Sequence, residues 1–212
     1  GDASDGLSPR DAERVLAAMV PWMRLIEHDR MDPSVQEALL GIPYLLEQIG
    51  HNDEAVSRYL DAAAVLDTAA IYLDAGIASL RDRLLINTLI STGDQNAMGR
   101  DWYVTGLPDM PATYWITHLI ADHPFQQGLR NYRDLGMLAD MLDALAANNA
   151  GQNIDTARIG NLRRGAAFLR DAQADALRDI GLNELQARRA RVDEHLLRAR
   201  LGIARIQDPA LR

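Results

Sequence analysis

At 212 residues, 48 % of them hydrophobic and 25 % charged, the chain can bury a substantial core as one elongated or two smaller domains. A net charge of −8 and a pI near 5.0 exclude a nucleic-acid binder that works by neutralising phosphates. The lack of cysteine excludes disulfides and thiolate metal sites, and aromatics at 5 % favour Leu/Ala/Ile/Val helix packing over a β-sandwich.

No initiator methionine precedes Gly1-Asp2-Ala3-Ser4-Asp5-Gly6, so the chain reads as a fragment whose leader or signal peptide has been trimmed. Ser8-Pro9-Arg10-Asp11 then announces a helix, with Val15, Met19, Trp22 and Ile26 as its apolar stripe and Pro21 as a kink. Asp32-Pro33 opens a second helix along Val35, Leu39, Ile42, Leu46 and Ile49, closed by Gly50. A third starts at Asn52-Asp53, and its stripe runs from Ala55 through Leu66, Leu73, Leu80 and Leu84 to Asn87. Only Gly76 interrupts it before the breakers Ser91-Thr92-Gly93-Asp94.

Asp101-Trp102-Tyr103-Val104 predicts a helical turn ahead of Pro108 and Pro111. Helices at 112–122 and 125–148 follow, with His123-Pro124 as the corner and Asn148-Asn149-Ala150-Gly151 as the stop. Residues 153–207 carry two stripes that change phase at Gly181-Leu182-Asn183, where Asn183 can cap a new helix. This segment is a helical hairpin or one unbroken rod, with the hairpin the preferred reading. No stretch reads as a strand, and no run approaches the ~18 apolar residues of a membrane span.

Chemistry-bearing constellations are sparse. His118 and Asp122 share a helix face with His123 at the turn, but no third or fourth zinc ligand accompanies them. His28-Asp29 matches the metal-binding dipeptide of all-helical phosphohydrolases, yet no histidine precedes it to complete that set. Trp102, Tyr103, Tyr114 and Trp115 form either an exposed patch or a plug at a joint, and the plug is preferred. Arg163-Arg164 and Arg188-Arg189-Arg191 are interleaved with Asp171, Asp175, Asp179, Asp193 and Glu194, which makes solvated mixed-sign faces. No catalytic, cofactor or metal site is expected.

Gly50, Ala55, Tyr59 and Ala62 span a turn between two helices at the spacing of small and aromatic positions in a helical hairpin repeat. Leu39, Ile42 and Leu46 precede them on the first helix. A second set lies 73 residues on: Trp115 and Leu119 align with Ile42 and Leu46, and Gly128, Tyr132 and Leu135 align with Ala55, Tyr59 and Ala62. The first set resembles a tetratricopeptide repeat (TPR) and the second a degenerate copy. Pro43 stands where that family has glycine, and Asp67 where it has proline. The stretch from Gly128 to Leu135 and the arginine-rich tail are also similar to uncharacterised TPR-containing proteins of proteobacterial envelopes.

The expectation is therefore an all-α fold of antiparallel TPR-like hairpins over 7–148, followed by a long helix or coiled-coil hairpin over 153–207. The resemblance implies a non-catalytic scaffold that binds a protein partner, with Tyr44, Arg58 and Tyr72 as contact residues. Alternatives are a structural coiled-coil module that self-associates through 153–207, and an all-helical enzyme with an unseen site. Residence in the bacterial periplasm or envelope is favoured, with the cytoplasm as the alternative. No membrane insertion is expected.

Overall fold

The computed structural model describes residues 8–93, 102–107, 109–110, 112–148, 155–208 and 210. Residues 1–7, 94–101, 108, 111, 149–154, 209 and 211–212 lie outside them, and with them Asp94, Asp101, Pro108, Pro111 and the expected stop at Asn149-Ala150-Gly151. The fold is all-α. Seven helices form among the described residues: α1 (Pro9–Leu25), α2 (Pro33–Gln48), α3 (Asn52–Arg81), α4 (Leu84–Ser91), α5 (Thr113–Ala121), α6 (His123–Asn148) and α7 (Thr156–Gln207). No strand is present among them, only an isolated bridge between Gly93 and Val104.

The chain divides into two compact units. One holds the residues up to Tyr72 with those from Arg188 onward, and the other holds Leu73–Ala187. The divisions fall inside α3 and α7.

Helix starts follow local chemistry. Ser8 caps α1, its Oγ accepting from the Asp11 N–H at 3.3 Å, and an Asp32 carboxylate oxygen accepts from Ser34 N–H at 2.7 Å to cap α2. Gly50, at φ +81, supplies the left-handed residue that turns α2 into α3. In the first unit Met19, Ile42, Leu46 and Ala55 form the core, with Val15 and Ile26 packed against it. Tyr59 is 3 % exposed, and its ring lies against the backbone of α7 at Gly202, where any Cβ would collide with it.

In the second unit two glycines serve the same purpose. A Cβ at Gly128 would lie 2.6 Å from Leu177 Cδ2, and one at Gly181 2.8 Å from Leu80 Cδ1. Trp102 and Trp115 are both buried there, with the Arg133 guanidinium 5.4 Å from the Trp102 ring centre.

Three expectations are corrected. The third helix does not reach Asn87: it ends at Arg81, and Arg83 adopts a left-handed conformation (φ 56) that starts α4 in a new phase. Leu85, Ile86 and Leu89 are buried as a result, while Leu84 is exposed. Second, 156–207 is one helix and not a hairpin, because Gly181 admits Leu80 and Leu119 instead of breaking the chain. Third, no helical turn forms at Trp102–Val104, where Val104 bridges to Gly93, while Asp101 lies outside the described residues.

By length and composition α3 is apolar enough to cross a membrane, with a mean hydropathy of 1.4 over its best window. Half of that window is buried inside the protein, where Leu66, Ala69, Leu73 and Leu80 serve as core.

Candidate binding cleft

The first unit carries a cleft of about 670 Å³ bounded by α1, α2, α3 and α7. A glycine inside a helix lines it. Gly41 presents bare backbone on α2, and the Trp22 indole of α1 lies on it so closely that a Cβ there would overlap the ring. Trp22 remains 39 % exposed and forms one wall, while Tyr44, on the next turn of α2, is 49 % exposed. Leu201 of α7 stands on the cleft at 54 % exposure, and Ala38, Leu40 and Tyr59 line its buried floor.

Charges on this cleft are mostly matched. The Arg205 guanidinium donates to both oxygens of Glu47, each at 2.6 Å, and this bond raises the Arg205 pKa further above its ordinary value. Burial, reinforced by the Glu47 carboxylate, pushes the Tyr59 hydroxyl up to about 12. Arg198 is paired with Glu194 at 2.6 Å.

Glu37 differs. Its carboxylate is 62 % exposed and lies 3.1 Å from Nε2 of His195, a ring that is 7 % exposed. Nδ1 of His195 has no hydrogen-bond partner among the protein atoms. Among the described residues the His195 ring is the partner of the Glu37 carboxylate, and no arginine pairs with it.

The residues singled out from sequence are distributed as follows. Ile42, Leu46, Ala55, Tyr59 and Ala62 are buried in the first unit, and Trp115, Leu119, Gly128 and Tyr132 in the second, while Leu39 and Leu135 are half-buried. Tyr44 lines the cleft described above. Arg58 lines a separate depression of the same unit with Ile26, Pro43 and Asp61, and lies 3.9 Å from Glu54. Tyr72 is half-buried and lines neither. The three do not share one groove.

His118, Asp122 and Glu184 line a depression of the second unit, but no group of three or more metal-ligating side chains assembles among the described residues. Asp122 instead accepts from the Phe125 N–H at 3.4 Å, at the start of α6. Asp29 likewise serves a turn, accepting from Met31 N–H at 2.9 Å. Of the four clustered aromatics, Trp102 and Trp115 are buried and Tyr103 is 60 % exposed. Arg163 reaches Asp143 at 2.7 Å and Arg189 pairs with Asp193, in line with mixed-sign faces.

Sequence reasoning missed Trp22, Glu37, Arg198, Leu201 and Arg205 as a group. A usable signal was Gly41, since a glycine kept inside a helix marks a close approach. Compared with family models, curated proteins and solved structures, the chain finds no match.

Proposed function

We propose that the protein is a non-catalytic interaction scaffold, built from hairpins of TPR-like kinship, whose cleft takes a segment of a protein partner. The observation that carries this reading is the gathering of Trp22, Tyr44 and Leu201 around one cavity, each between 39 % and 54 % exposed. Trp and Tyr are the side chains on which interfaces most often depend, and contiguous apolar exposure of this kind marks a binding surface. The kinship is supported by Tyr59 and Tyr132, both buried at corresponding positions, and by the left-handed turn at Gly50.

The test is selection of random displayed peptides on the immobilised chain. Enriched sequences are expected, and Trp22→Ala or Tyr44→Ala should weaken their binding by about tenfold or more, as for an interface anchor. No enrichment, or equal binding to both variants, overturns the reading.

A second reading, self-association through 153–207, is favoured by a different surface. Leu138 and Leu145 of α6 and Leu162 and Leu169 of α7 are each 44–56 % exposed at seven-residue spacing, and Leu138 and Leu169 line one shallow groove. Leu196, by contrast, is 7 % exposed within the first unit. Leu138→Glu with Leu169→Glu should lower the mass measured by sedimentation equilibrium. A mass that equals the monomer in both proteins sinks this second reading.

A further inference from the structure

Building on the proposed peptide-binding cleft, we infer that its occupant carries a basic side chain beside an apolar one, with the cation set against Glu37.

The argument is one of charge matching. Glu37, Arg198 and Arg205 line the cleft, but they are not equivalent. Arg205 is held at both oxygens of Glu47, and Arg198 is held by Glu194. An acidic ligand would have to compete with carboxylates already in place. Glu37 has only the His195 ring as its partner and no arginine, and most of its carboxylate faces solvent.

A wholly apolar occupant would strip water from that carboxylate and return nothing, a large penalty for an unpaired charge. An arginine or lysine side chain returns a charge-assisted hydrogen bond. Its methylene stem would lie along Trp22 or Tyr44, whose faces also attract cations. The apolar neighbour fills the remaining space over Ala38 and Leu201. The chain's net charge of −8 draws such a segment in from a distance.

The same displayed-peptide selection tests this, read for composition. Enriched peptides should carry arginine or lysine within one or two residues of a large apolar side chain. Replacing that residue by citrulline or norleucine in the best synthetic peptide should weaken binding to the unmodified chain about tenfold. Glu37→Gln, which keeps an acceptor for the His195 N–H, should cost a similar factor for the basic peptide. It should cost almost nothing further for the neutral peptide, so the two changes should not add. Raising the salt concentration should weaken the basic peptide more than its neutral analogue.

Enriched peptides without basic residues would overturn the inference and leave the cleft reading standing, as would basic peptides that bind Glu37→Gln unchanged. A selection that enriches nothing overturns the cleft reading itself.

Discussion

At the residue scale the first unit depends on one aromatic ring and the glycine facing it. Tyr59 lies against Gly202, so a methyl group at 202 has no room. Gly202→Ala should cost about 1–3 kcal/mol by overpacking, although alanine is the better helix former. In a Tyr59→Ala background the sign should reverse, and the same change should gain up to about 1 kcal/mol as propensity takes over. Urea unfolding of the four proteins measures this, and a Gly202→Ala effect of the same sign in both backgrounds refutes the packing account. The Tyr59 hydroxyl gives a second handle. Burial raises its folded-state pKa to about 12 from an ordinary 10.0, so the neutral form is favoured on folding. The stability this contributes is complete below pH 10 and is lost as pH rises toward 12. Ultraviolet titration of tyrosinate should show one late-ionising tyrosine, absent from Tyr59→Phe.

Among the elements, the break between α3 and α4 is the least expected. Arg83 holds a left-handed backbone that costs a non-glycine residue about 1 kcal/mol. Its guanidinium reaches Asp171 at 3.1 Å and Asp175 at 2.9 Å on α7. Those side chains are 37 %, 72 % and 48 % exposed, so solvent limits each pair to at most about 1 kcal/mol. Arg83→Ala should therefore destabilise, losing both pairs while keeping the strain. Arg83→Gly should be more stable than Arg83→Ala by about 1 kcal/mol, by thermal or urea unfolding, and the opposite order would show that strain is not the issue.

This break also marks the limit of what the sequence discloses. Caps at Ser8 and Asp32 and the turn at Gly50 were legible because each works through neighbours in the chain. Arg83 was not, because its partners lie 88 and 92 residues away. Gly181 misled for a related reason: a glycine that ends a helix and one that admits a neighbouring helix look alike in sequence. In the cleft, Tyr44 was anticipated as a contact residue. Trp22 was assigned to the core stripe because helical spacing cannot register the bare backbone at Gly41 on which its ring lies. Glu37 gave no sign, since its significance depends on a histidine 158 residues later.

For the whole molecule, the discontinuity of the first unit governs. Residues from Arg188 onward supply Val192, Leu196 and Ala199 to its core, along with the Gly202 notch and the partners of Glu37 and Glu47. Ending the chain after Ala187 should leave Tyr59 uncovered and the first unit open to protease, while retention of its protection would separate it from α7. The second unit, Leu73–Ala187, is continuous in sequence and makes no comparable demand.

During synthesis the same discontinuity imposes an order of events. The amino-terminal segment emerges from the ribosome first, yet it cannot close around Tyr59 until residues 188–208 have also cleared the exit tunnel. Leu73–Ala187 is thus free to fold earlier, the reverse of the usual amino-to-carboxyl sequence. In the interval the faces that α7 covers, the Tyr59 ring among them, stay open to solvent and to chaperones.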